Sequence, residues 1–120
     1  MCNNSEEDLE HLFCRCRETK QLWDNIEHWI NDLRLNNLMK LLGYLMNDQK
    51  FWPLNLILTL TRKYIFMCSK NNFKLNIFHL QKDIKKCYLE QKALSAVSFQ
   101  SDLFNKRWDF WKKVFIDIDL

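Results

Sequence analysis

The sequence predicts an all-α protein: a small irregular bundle of about five helices with a Cys/His hairpin at its N-terminal end. Two observations predict it. A chain of 120 residues with one Gly and one Pro lacks the turn residues that many short strands need. Its apolar residues also recur at three- and four-residue spacing behind residues that cap helices. About half of the chain is hydrophobic, enough for a single core at a length typical of one domain.

Each element has its own signal. Ser5 followed by Asp8 resembles a capping box and predicts a short helix over roughly 5–15. Thr19 is expected to cap a second helix, in which Leu22, Trp23, Ile26, Trp29, Ile30 and Leu33 form one stripe ending near Arg34. Asn36 and Asn37 interrupt the pattern, Leu38–Leu42 makes one or two turns, and Gly43 closes them. Pro53 suits the first turn of a third helix running to about Lys70, with Leu54, Ile57, Leu58, Thr61, Ile65 and Cys68 inward. Its wide apolar surface marks it as the central helix. Asn76 is expected to cap a fourth helix to about Val97, with Ile77, Leu80, Ile84, Tyr88 and Leu89 inward. Ser101 is expected to cap a fifth to about Phe115, with Phe104, Trp108, Trp111 and Phe115 inward.

Charge is divided unevenly. Residues 1–61 carry nine acids and six bases, whereas residues 62–120 carry twelve bases and six acids. A basic C-terminal half can attract a polyanion, although lysines also coat the wet faces of ordinary helices. The longest uncharged run, Phe51–Thr61, is too short to span a bilayer, so no membrane role is expected. Acids at Glu6, Glu7, Asp8 and Glu10 do not fit a secretory signal, and five Cys with no such signal predict reduced thiols. The expected compartment is intracellular, nuclear or cytoplasmic, and not secreted.

Chemistry is concentrated in one cluster. Cys2, His11, Cys14 and Cys16 fall within fifteen residues, and thiolate and imidazole are ligands suited to zinc. On a helix His11 and Cys14 share a face, whereas Cys16 lies well round from them unless the helix ends near Cys14. Lone His28 and His79 read as surface residues, and Cys68 and Cys87 as packing thiols. Trp108 and Trp111, beside Lys106, Arg107, Lys112 and Lys113, can stack bases while the cations bind phosphates. At helical spacing two such rings more often close a core.

The run Glu6-Glu7-Asp8-Leu9-Glu10-His11-Leu12-Phe13, then Cys16, then Leu22-Trp23, resembles the zinc-binding region that follows the reverse transcriptase domain in non-LTR retrotransposons of the long interspersed type. Cys2, His11 and Cys16 match the second, third and fourth ligands of that Cys-Cys-His-Cys segment. The first Cys has no counterpart, so the segment is read as truncated before it. Asn55-Leu56-Ile57-Leu58, Arg62-Lys63-Tyr64-Ile65, Leu89-Glu90 and Phe104-Asn105-Lys106-Arg107-Trp108 are similar in order to the helical tail of the same polyproteins. The resemblance thus extends over nearly the whole chain. It implies zinc on Cys2, His11 and Cys16, with Cys14 a further candidate, and an accessory role with RNA or target DNA beside a reverse transcriptase.

Two segments are therefore expected within one compact unit: 1–34, a truncated zinc-binding-like segment with the Trp-rich helix, and 35–120, a basic helical bundle. No paired-aspartate polymerase motif or nuclease constellation is present in the sequence, and Asp117 and Asp119 read as a tail. The expectation is a retrotransposon-derived, non-catalytic C-terminal fragment without a small-molecule substrate. It would bind nucleic acid through Lys85, Lys86, Lys106, Arg107, Trp108, Trp111, Lys112 and Lys113. The alternatives are a helical protein–protein interaction domain with no metal or nucleic-acid role, and a relic without function. An aromatic content of 14% also favours an exposed apolar patch and self-association.

Overall fold

The computed structural model describes residues 11–30, 35–43 and 51–108. It is an all-α fold, with no strand among the described residues. A π-helical turn, His11–Arg15, leads into α1 (Arg17–Trp29), followed by α2 (Asn37–Leu42), α3 (Trp52–Asn71), α4 (Ile77–Val97) and α5 (Ser101–Trp108). The capping box at Ser5 and Asp8, Leu33 and Arg34, and the fifth helix beyond Trp108 lie outside the described residues.

The first turn departs from the expected plain helix. Cys16, extended at φ −61° and ψ 135°, separates the π turn from α1 and occupies the position before its first residue. Thr19, expected as the cap, is instead fully buried within the first turn of α1, where its hydroxyl donates to the Leu12 carbonyl at 2.7 Å. A hydroxyl two residues inside a helix can serve the carbonyls of a preceding turn folded back over it. The inward stripe of α1 is otherwise as the spacing requires, with Leu22, Trp23 and Ile26 buried.

Asn36 caps α2, its side chain accepting from the Met39 N–H at 2.8 Å. Gly43 ends that helix at φ +86°, where a Cβ would meet Asn55 Oδ1 at 2.9 Å. Both the left-handed φ and the close approach to α3 require glycine. The Arg62 guanidinium donates to the Met39 and Lys40 carbonyls, at 3.4 Å each, satisfying the carbonyl end of α2.

Helix α3 is central, packing on the π turn, α2, α4 and α5. Its inward positions Leu54, Ile57, Leu58, Thr61, Ile65 and Cys68 are all buried, and each large apolar side chain among them stabilises the fold by roughly 1.5–3 kcal/mol. Asn72, left-handed at φ 57°, ends the helix. Asn76 caps α4 as expected, accepting from the Phe78 N–H at 2.9 Å. Leu80, Ile84 and Tyr88 face inward from α4, but Leu89 is 47% exposed rather than buried. One residue past Tyr88, it is rotated about a quarter-turn away from the core.

Helix α5 closes the bundle with aromatics. Trp108, 1% exposed, lies edge-on to Tyr88 at 5.0 Å and to Trp52 at 5.9 Å, and Phe104 lies 5.4 Å from Tyr88. These are favoured ring geometries that add to the energy of burial. A single buried cluster draws on the π turn, α1, α3, α4 and α5.

Candidate functional site

The cysteine-histidine knuckle is built by the π turn. The Cys16 N–H donates to the His11 carbonyl at 2.8 Å, and Trp23 Nε1 donates to the Phe13 carbonyl at 2.6 Å. These bonds, with that of Thr19, hold the turn against α1, so His11, Cys14 and Cys16 are fixed on a rigid element. His11 is half-buried with its Nε2 atom inside the protein. Cys14 is 2% exposed and directs Sγ towards the Asn37 carbonyl at 3.8 Å, which turns it towards α2.

Cys16 is fully buried and disulfide-bonded, in contrast to the reduced thiol expected there. Among the described residues no group of three or more His, Cys, Asp or Glu side chains is placed to hold a metal ion. Cys2, the further ligand that the resemblance implies, lies outside them. The described residues therefore supply a buried imidazole nitrogen and two buried sulfurs, that of Cys14 directed at Asn37 and that of Cys16 in a disulfide, but do not complete a zinc site by themselves.

The expected nucleic-acid residues separate into three groups. Lys86 and Lys106 are exposed and Lys85 is half-buried. Arg107 is half-buried with its guanidinium over the Trp52 ring, 4.6 Å from the centroid. Trp108 is removed from the candidate surface, because a ring 1% exposed cannot stack on a base without opening the core. Trp111, Lys112 and Lys113 lie outside the described residues.

Sequence reasoning passed over other residues on the same side of the charge balance. Between Asp48 and Asp83 the chain contains no acid, but it contains Lys50, Arg62, Lys63, Lys70, Lys74 and Lys82. Of these, Lys63, Lys70, Lys74 and Lys82 are exposed. Phe73 and Phe78, at either side of the α3–α4 connection, are each 67% exposed. The acid-free run was a readable signal. The exposure of the two rings was not, because their apolar character alone assigns them to a core.

Two clefts flank this region. One, about 280 Å³, lies between α3 and α4 and presents Lys63, Asp83, Lys86 and Glu90 around Cys87. Burial pushes the Cys87 thiol up, and the carboxylates of Glu90 and Asp83 push it further in the same direction, so it is a poor nucleophile. The other, about 290 Å³, lies between α1 and the α3–α4 connection and presents Glu18, Gln21, Asn25, Lys74 and Asn76. His28 and His79 are exposed and Cys68 is buried. No helix among the described residues is long and apolar enough to cross a membrane.

Comparison with protein-family models, with curated proteins and with solved structures finds no match.

Proposed function

We propose that this chain is a non-catalytic helical module that binds nucleic acid through the basic outer faces of α3, α4 and their connection. One observation carries the reading: residues 62–108 contain ten bases against three acids, and the lysines at 63, 70, 74, 82, 86, 92 and 106 are exposed. Such a surface neutralises phosphates without demanding a particular sequence. The resemblance to the region following a retrotransposon reverse transcriptase supports RNA or target DNA as the polyanion. The zinc it implies would be held by His11 and Cys16 with Cys2, and its part would be structural, pinning the knuckle to α1.

Binding of labelled RNA over a range of salt tests the proposal. With four phosphate contacts to a single strand, affinity is expected to fall about 50-fold between roughly 50 and 200 mM salt. Salt-independent binding, or none at low salt, would overturn it.

A second reading is favoured by a different observation. Leu89, Leu94, Val97 and Phe99, near the C-terminal end of α4, are 47%, 62%, 79% and 96% exposed. Apolar surface of this kind is also what a protein-interaction domain presents. Concentration-dependent sedimentation that shifts on Leu94→Lys, with no affinity for RNA, would favour this reading over the first.

A further inference from the structure

The α3–α4 connection combines three features that the charge balance alone does not require. It presents two exposed aromatic rings, Phe73 and Phe78, separated by no more than about 17 Å of extended chain. Exposed Lys70, Lys74 and Lys82 precede, separate and follow them in sequence, within a stretch containing no acid. Its backbone is also held rigidly. The Phe73 N–H donates to the Cys68 carbonyl at 2.8 Å, Asn72 is left-handed, and the Phe78 N–H is held by the Asn76 side chain. The Tyr64 hydroxyl accepts from the Asn76 N–H at 2.8 Å and donates to the Asn76 carbonyl at 3.1 Å. Both rings therefore project from a preformed tip, which lowers the entropy lost on binding.

The cleft behind this tip supplies groups of a different kind. The Gln21 and Asn25 amides, which both donate and accept, line it with the Glu18 carboxylate, and Lys74 stands at its edge with the tip. Amides and a carboxylate are suited to the edges of unpaired bases, whereas a carboxylate repels phosphate. Phosphate contacts accordingly fall to Lys70 and Lys82, which do not line the cleft.

We infer that the α3–α4 tip is a binding site for single-stranded nucleic acid, with bases stacked on Phe73 and Phe78 and one base edge turned into the cleft against α1. A duplex does not satisfy it, because stacking on exposed rings and contacts to base edges need unpaired bases. An anionic membrane surface is less well matched. It would take a continuous apolar helix face, whereas these rings are two points on a polar tip. This inference rests on the nucleic-acid reading above and narrows it to one place and one strand form.

The test is fluorescence anisotropy of the full chain with a labelled oligouridylate, a duplex of mixed sequence and anionic phosphatidylserine vesicles in parallel. The variants are Phe73→Ala with Phe78→Ala, Phe73→Trp with Phe78→Trp, and Leu94→Ala with Phe99→Ala as a surface control. Circular dichroism checks that each is folded. Each lost ring is expected to weaken oligouridylate binding about fivefold or more, the lower end of base–aromatic stacking. The Trp pair retains binding, and neither pair changes the salt slope. Oligouridylate binding by the wild type that is untouched in the alanine pair would overturn the tip while leaving the wider reading standing. A duplex bound as tightly as the single strand would also overturn the tip. No oligonucleotide binding by the wild type, with or without vesicle binding, would overturn both.

Discussion

The indole N–H of Trp23 donates to the carbonyl of Phe13 over 2.6 Å, with the Trp23 ring completely buried and Lys40 Nζ 5.9 Å from its centroid. One side chain of α1 thus fastens the π turn that carries His11 and Cys14 and leads into Cys16, and is itself covered from α2. Trp23→Phe is expected to keep most of the packing but leave the buried Phe13 carbonyl short of a donor, costing about 1–3 kcal/mol. Trp23→Ala should cost roughly 3–5 kcal/mol. Urea unfolding of both variants measures this, and a Trp23→Phe variant as stable as wild type would show that the hydrogen bond contributes nothing.

The close approach of Gly43 to Asn55 makes a second expectation specific. Gly43→Ala places a methyl 2.9 Å from Asn55 Oδ1 at a backbone φ of +86°. It should destabilise the chain by about 1–3 kcal/mol, the usual cost of a non-glycine residue in a disfavoured conformation. A melting temperature equal to wild type would show that α2 and α3 are not held together at this point.

Tyr64 makes α4 sensitive to alkali. Burial, foremost among the causes, raises its phenol above the ordinary value, so the folded state prefers the neutral hydroxyl that bridges Asn76. The stability it contributes is fully present below the ordinary phenol pKa and is lost as pH rises through the higher folded value. Tyr64→Phe should lose about 1 kcal/mol near neutrality, with a flatter decline in stability at alkaline pH. An unchanged decline would assign the alkaline loss to other groups.

Zinc uptake at the knuckle should depend on redox state. The disulfide at Cys16 must be reduced before its sulfur can ligate a metal. Reduced protein is therefore expected to take up one zinc, and oxidised protein, His11→Ala and Cys16→Ala to take up less than half as much. Zinc content after dialysis checks this, and no uptake by reduced wild type would remove the metal from the proposal.

Charge reversal on α4 should act through salt-sensitive contacts. Lys82→Glu with Lys86→Glu removes two exposed cations and should lower the slope of log K against log salt by at least about 1.4 units, the share of two phosphates on a single strand. A weakened affinity with an unchanged slope would mean that these lysines act other than by displacing counterions.

Local sequence signals specified most of the helical elements. Asn36 and Asn76 cap helices because a short polar side chain reaches an N–H two or three residues on. The buried positions of α3 follow from helical periodicity alone. These interactions span a few residues, so adjacent residue types suffice to specify them.

Long-range packing decided the rest. Nothing near Thr19 in sequence announces that its hydroxyl serves Leu12, because that bond exists only once the π turn folds back on α1. Trp108 and Phe78 are both large aromatics on helices with lysines nearby, and of the two only Trp108 stands out in the sequence as a candidate stacking ring. In the folded chain Trp108 is 1% exposed and Phe78 67%. The difference arises because α5 turns its inner face onto Tyr88 and Trp52, while no described helix covers the outer face of the α4 start. Helical period and charge were thus determined by the sequence itself. Which aromatic side chains meet solvent was decided by helix packing, because burial depends on neighbours distant along the chain.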